Sequence, residues 1–204
     1  MTGEAKARRR GPALEAAILD AVWDELDASG YAGLTIENVA ARARTGKQVI
    51  YRRWQNRADL ALAAMRHRYA SLADDVPDTG NLRDDVLAVL RYMARRFQEF
   101  GSDLVHGLMA EAHQLGPETF EVIPDAMAVI LRRAAGRGEV SMDAVTPRIA
   151  RMPADLVRHE MLLTDRPVPD GVLVEIVDEM FLPLVRARGR DRREERAAAT
   201  GASR

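Results

Sequence analysis

The chain has 204 residues, 47% hydrophobic and 30% charged, with 30 Lys and Arg against 31 Asp and Glu for a formal net charge of -1. That composition describes a folded globular chain with apolar material for a core, and it excludes a low-complexity or highly charged extended polymer. The absence of cysteine excludes a disulfide framework, a thiolate metal site and a thiol nucleophile, and no run approaches the roughly 18 apolar residues that a membrane span needs.

Residues 1–11 are polar and rich in arginine and read as a flexible basic arm, with no apolar run of signal-peptide length after Arg8, Arg9 and Arg10. Pro12 suits a first helical turn. Leu14, Ile18, Val22 and Leu26 then recur every four residues, which predicts an amphipathic helix stopping at Gly30. Thr35 caps a short second helix with Ile36, Val39 and Ala40 inward, ending near Arg42 and Ala43. A tight turn at Arg44, Thr45 and Gly46 leads to a third helix from Lys47 to Trp54, with Ile50 and Trp54 on its inner face. Asn56 caps a fourth helix to about Leu72, and Asp78-Thr79-Gly80 reads as a loop.

The remainder is helical in pattern as well. Asn81 opens a helix stopped by Gly101, and Ser102 opens another that ends at Gly116-Pro117. Pro124 predicts a kink, or a break into two pieces, in the segment from Glu118 to Ala135. Thr146-Pro147 reads as a cap followed by proline at the first helical position, for a helix bent at Pro153 and running to about Leu163. The last helix spans about Asp170 to Ala187, with Pro183 distorting its final turn, and 189–204 reads as a disordered tail. The fold class is therefore all-α, with no alternating strand pattern.

The stretch that carries chemistry runs from Gly33 to Leu60. Two short helices joined by a tight turn form a helix-turn-helix, in which the second helix lies in the major groove of DNA. Its outer arc holds Lys47, Gln48, Tyr51 and Arg52, and Arg53 and Arg57 follow as further cations for phosphates. Gln48 has the bidentate geometry that reads adenine, and Val49 suits a thymine methyl. Tyr51 reaches a phosphate through its hydroxyl, and the helix that begins at Thr35 offers backbone N–H groups to another. Residues 1–68 hold 12 Lys and Arg against 8 Asp and Glu, so a basic head precedes an acidic remainder.

This pattern resembles the TetR family of transcriptional regulators, whose second and third helices read T-x-x-x-I/V-A-x-x-A-G-V-S-x-x-T-I/L-Y-x-x-F/W. The match lies in Thr35, Val39, Ala40, Ala43, Ile50, Tyr51 and Trp54, with Arg57 where the family has lysine at the start of the fourth helix. Arg137-Gly138-Glu139-Val140 and Pro153 are similar to one TetR subgroup. The departures fall in the turn: Arg44 stands where the family has glycine, Thr45 where it has valine and Gly46 where it has serine. A side chain at a left-handed turn position costs about 1 kcal/mol, and Arg44 and Thr45 add polar groups to the surface expected to face DNA.

The resemblance implies a homodimeric repressor, released from a palindromic operator by a small-molecule effector and acting in the cytoplasm at the nucleoid. It divides the chain into a DNA-binding domain of three helices over 12–56 and a larger helical domain for ligand binding and dimerisation over 57–188. It implies an effector pocket among helices four to seven, for which Phe97, Phe100, Met109, Phe120 and Met127 are candidates, with His106, Glu111 and His113 as polar handles. It also implies a dimer face on the last two helices, at Leu156, His159, Leu163, Val172, Ile176 and Met180. No cofactor is expected, and two histidines alone assign no metal. No nucleophile elbow, phosphate loop, H-E-x-x-H or Glu-x-x-His pair is present, so no enzymatic activity is expected.

Overall fold

The structure, a computed structural model, describes residues 11–69, 71–116, 119, 121–164 and 166–188. The arm expected over 1–11 (Gly11 aside), the pocket candidate Phe120 and the tail expected over 189–204 lie outside the described residues. In chain order the helices are α1 (Pro12–Gly33), α2 (Ile36–Arg42), α3 (Lys47–Tyr51), α4 (Arg57–Arg68), α5 (Leu82–Phe100), α6 (Ser102–Ala110), α7 (Val122–Gly136), α8 (Pro147–Leu163) and α9, which begins at Asp170–Glu175. There is no strand among the described residues, as the composition and periodicity predict. None of these helices is long and apolar enough to cross a membrane.

The chain forms two compact units, one of residues 1–70 with 103–116 and the other of 71–102 with 117–204. The first unit thus takes all of α4 and then, after an excursion of the chain, most of α6 and the 3-10 turn Ala112–Gln114. Within this unit α4 packs on α1. Ile18, Val22, Leu34, Val39, Ile50, Leu60 and Ala61 are fully buried there. Trp23 completes the α1–α4 contact by donating its indole N–H to the Ala64 carbonyl at 3.3 Å.

The apolar period predicted for α1 is present, but the helix does not stop cleanly. Gly30 has φ 66°, and one further turn, Tyr31 to Gly33, follows the kink. Asp103 caps that turn by accepting the Tyr31 N–H at 2.6 Å. A Cβ on Gly30 would stand 2.9 Å from the same carboxylate, so glycine serves both the positive φ and the close approach. On the opposite side, the buried Glu25 fastens α1 to α2. Its carboxylate accepts from Arg42 Nε and Nη2 at 3.0 and 2.8 Å and from Asn38 Nδ2 at 2.9 Å.

The second unit is built on α5, whose faces meet α7, α8 and α9. Val86, Val89 and Leu90 are fully buried along it, with Phe97 nearly so. Asp85 is also fully buried, and its carboxylate accepts from the Thr79 N–H, the Thr79 hydroxyl and Arg137 at 2.5, 2.8 and 3.3 Å. Arg137 also pairs with Glu139, which accepts the Leu82 N–H at 2.8 Å. The Arg137-Gly138-Glu139 turn therefore holds the first turn of α5. Arg83 and Arg91 reach across to Asp178 and Asp170, tying α5 to α9.

Thr35, Asn56, Asn81 and Thr146 cap their helices as predicted, each accepting an N–H three residues on. Other boundaries differ. The fourth helix ends at Arg68, not Leu72. Pro124 lies in the first turn of α7 and kinks nothing, because the N–H it lacks is unpaired at that position anyway. Pro183 acts upstream of the expected final turn. Ile176–Phe181 is a π-helical turn, and Leu182 donates to the Val177 carbonyl five residues back. The wider turn relieves the clash a proline ring makes with the carbonyl four residues before it, and 182–188 resume the α pattern.

The hydrogen bonds from Arg42 hold the Glu25 carboxyl below its ordinary value, so the stability it contributes is present above the usual carboxylate range and disappears as pH falls through the lowered value. Glu25→Gln is expected to cost about 1–3 kcal/mol at neutral pH. In urea titrations run at successive pH values, that deficit should narrow below about pH 4.

Candidate nucleic-acid interface

The helix-turn-helix hinges on how α2 ends. Thr45 N–H donates to the Ala40 carbonyl at 2.9 Å and Arg44 N–H to the Ala41 carbonyl at 3.1 Å. These paired bonds, six-to-one and five-to-two, make a Schellman cap, whose turning residue must be left-handed. Arg44 is that residue, with φ 54°, the one positive φ outside glycine among the described residues. The same cap closes α7, where Glu139 and Gly138 donate to Ala134 and Ala135, and there a glycine takes the position at φ 80°.

After the cap, Gly46 precedes α3 in an extended conformation, and Lys47 opens the helix. Five residues do not make a self-supporting helix. Its hold comes from Ile50, fully buried, and Trp54, 6% exposed just beyond its end. Those two anchors turn the other face outward. Tyr51 is 52% exposed, and Lys47, Gln48, Arg52 and Arg53 are exposed with it. Val49 and Thr45 are half-buried, while Arg44 and Thr35 are exposed. The Thr35 side chain is engaged as the cap of α2, accepting from the Asn38 N–H at 3.1 Å.

Four of the described cations of this unit, Arg42, Lys47, Arg53 and Arg57, have a carboxylate partner. Lys47 Nζ sits 2.8 Å from Glu37 Oε1, bridging α3 to α2, and Arg53 lies 3.6 Å from Glu15. Arg52 instead donates to the carbonyl of Gln48 at 3.2 Å. Arg57, expected among the phosphate contacts, is engaged within the unit. Its guanidinium pairs with Glu111, points at the carbonyls of Ala32 and Leu34 at 3.4 and 3.5 Å, and lies 4.9 Å from the Tyr31 ring centre. The Tyr31 hydroxyl donates to Glu111 at 3.2 Å. The hydrogen bond from Arg57 holds Glu111 below its ordinary value and Arg57 above its own, while burial, reinforced by Glu111, pushes the Tyr31 phenol up. Asn56 adds a 3.3 Å bond to the Gln114 carbonyl. Arg57 thus joins the end of α1, the start of α4 and the turn after α6.

The sequence does not mark these carboxylates as partners, because Glu15 and Glu111 stand tens of residues from the cations they meet and Glu37 lies on the preceding helix. Gly107 was equally silent. A Cβ there would lie 2.0 Å from the Tyr31 ring, so glycine is what lets the ring cross α6.

The pocket candidates divide between the units. Phe97 and Met127 are buried and Phe100 half-buried in the second, while His106 and Met109 are half-buried and His113 exposed in the first. Of the residues named for a dimer face, Leu163 is 69% and Met180 44% exposed, with Leu162 beside them at 38%. His159 is exposed, Leu156 and Val172 are half-buried, and Ile176 is buried within its own unit. No group of His, Asp and Glu able to hold a metal occurs among the described residues.

Residues 18–64 match the family model for bacterial regulatory proteins of the tetR family, and residues 76–180 match that for a tetracyclin repressor-like C-terminal domain. A DNA-binding transcriptional repressor TetR of Mycobacteroides abscessus is 32% identical over 193 residues, spanning 89% of this chain and 98% of that repressor. An uncharacterised HTH-type transcriptional regulator of Mycobacterium tuberculosis is 30% identical over 173 residues, or 80% of this chain and 84% of its own length. Among solved structures, the regulator FadR of Bacillus subtilis in complex with stearoyl-CoA has a TM-score of 0.56 at 16% identity, covering 83% of this chain and 97% of FadR. The SmeT–triclosan complex has a TM-score of 0.51 at 23% identity, covering 81% and 90%. At these identities the structures share the fold.

The two Schellman caps yield a matched pair of variants. Arg44→Gly removes a left-handed side chain and should stabilise the chain by about 1 kcal/mol, whereas Gly138→Ala creates the same strain and should destabilise by a similar amount. Denaturant midpoints of both against the parent measure the difference.

Proposed function

Because the chain belongs to the TetR family of bacterial regulatory proteins, we propose that it is a ligand-responsive transcriptional repressor, an all-helical homodimer that binds a palindromic operator and leaves it when a small molecule binds. The observation that carries this reading is Tyr51. An aromatic ring 52% exposed, next to a fully buried Ile50 and amid the exposed Lys47, Gln48 and Arg52, suits a groove-facing contact. In this reading Gln48 and Val49 meet base edges, and Lys47, Tyr51, Arg52 and Arg53 meet phosphates. Arg44, Thr45 and the α2 terminus at Thr35 lie alongside. Arg57 supports the head from within through Glu111.

Two such heads read half-sites roughly 34–36 Å apart when the subunits pair. The exposed Leu162, Leu163 and Met180 support a dimer formed through the last two helices, since apolar side chains clustered at the surface mark interfaces. An effector pocket is proposed, with the named Phe, Met and His residues as its candidates. Release would run through α6, whose Asp103 and following Glu111 bind the backbone of Tyr31 and the guanidinium of Arg57. An effector that binds better when α6 is shifted would loosen the head. Such a protein works where the chromosome is, in the cytoplasm at the nucleoid, and without an enzymatic step.

Selection of duplexes from random DNA with the full chain, followed by gel-shift titration, tests the reading. Wild type should enrich a palindrome, and Tyr51→Ala should keep its unfolding midpoint while losing at least about tenfold in affinity for that duplex. Unchanged binding by a folded Tyr51→Ala would remove Tyr51 from the interface. Leu163→Asp should shift sedimentation from dimer to monomer; a Leu163→Asp chain that still sediments as a dimer would reject this face.

A further inference from the structure

Of the cations on the head, Arg42 and Arg57 pair with carboxylates that brace helices together, Glu25 and Glu111. The Lys47–Glu37 pair is different. Both side chains are more than half exposed, at 54% and 56%, and an exposed pair adds little to stability. It nevertheless sits on the arc of α3 that faces outward, with Nζ and Oε1 2.8 Å apart. Lys47 is the first residue of a helix that has no acidic residue in its first turn, a place the backbone dipole makes unfavourable for a cation. Glu37, one element earlier, offsets that. The pairing also holds Lys47 above and Glu37 below their ordinary values, so both stay charged at neutral pH.

We propose that Glu37 is an intramolecular competitor for DNA phosphate, holding Lys47 so that the head discriminates against unselected sequence. The proposal rests on the DNA-binding reading above and adds a specificity-determining residue that itself reads no base. A carboxylate gripping an ammonium mimics what a phosphate would do. On unselected DNA the head presents the Lys47–Glu37 pair as net neutral, and phosphate gains little by approaching it. On the operator, base contacts from Gln48 and Val49 seat α3 in one register. An ammonium has three donors, so a seated Lys47 bridges Glu37 and a phosphate together. The competitor therefore weakens loose binding more than registered binding, and specificity is that difference.

The test compares Glu37→Gln with wild type on two probes, the duplex enriched from random DNA by the wild-type chain and a scrambled duplex of equal composition. Glu37→Gln should bind the scrambled duplex several-fold tighter and the enriched duplex nearly unchanged, and its salt dependence on the scrambled duplex should steepen by about 0.9 per phosphate gained. In a Lys47→Gln background the same change should have no such effect. An equal gain on both duplexes, or a gain that persists without Lys47, is a general field effect and overturns the competitor. Those outcomes leave operator binding intact, whereas a wild-type chain that enriches no duplex removes the DNA-binding reading and this proposal with it.

Discussion

A helix of five residues cannot hold its own shape in water, so what the head offers to DNA depends on how α3 is held from outside. Two constraints do it. The Schellman cap of α2 sets the direction in which the chain leaves, and it requires a left-handed residue at Arg44. The buried Ile50 and Trp54 then set the rotation of α3 about its own axis. Together they leave one choice of outward arc, that of Lys47, Gln48, Tyr51 and Arg52. The chain accepts local strain at Arg44 where glycine would relieve it. In exchange a guanidinium stands at the turn, next to the surface expected to meet the DNA backbone. Strained backbone at a binding surface is where such exchanges are commonly found.

Charge is arranged on the same plan. A head with an excess of cations would bind any polyanion. Here the excess is reduced locally, since Arg42, Lys47, Arg53 and Arg57 each have a carboxylate within 4 Å. The buried pair at Glu25 and the half-buried pair at Glu111 are structural. Removing Arg42 or Arg57 would leave a largely buried carboxylate without its ion partner. The exposed pairs are exchangeable, because solvent already screens them. The unit thus separates cations that hold it together from cations free to change partners, and burial of the carboxylate makes the separation.

Much of this was legible in the residue order. The period of Leu14, Ile18, Val22 and Leu26 located α1, and Thr35, Asn56, Asn81 and Thr146 located four helix starts, because caps and apolar faces are local signals. The left-handed turn at Arg44 was legible for the same reason, as a departure from a motif in which glycine holds that place. Burial of Ile50 and exposure of Tyr51 followed from helical spacing. What could not be read is set by distant segments. Nothing near Arg57 announces Glu111, fifty-four residues on, or marks Arg57 as a brace. The division into units was hidden too, since residues 103–116 return to the head only through tertiary packing. Pro124 and Pro183 act at places the sequence did not mark. A proline's effect depends on its place in the helix, and one sat in a first turn while the other displaced its strain upstream.

The returning segment carries the tightest constraint on how the head could be regulated. Asp103, Gly107 and Glu111 fall four apart, on one face of α6 and the turn that continues it. Each meets the same short stretch of chain: Asp103 caps the Tyr31 amide, Gly107 makes room for the Tyr31 ring, and Glu111 receives both its hydroxyl and Arg57. Sliding α6 by one residue would place a Cβ against the ring and lose both carboxylate contacts together. Contacts that form or fail as a set do not yield gradually, since close-packed interfaces hold discrete arrangements and not a continuum of intermediate ones. In the function proposed above, a small displacement of α6 would be converted into engagement or release of Arg57, and with it of the end of α1.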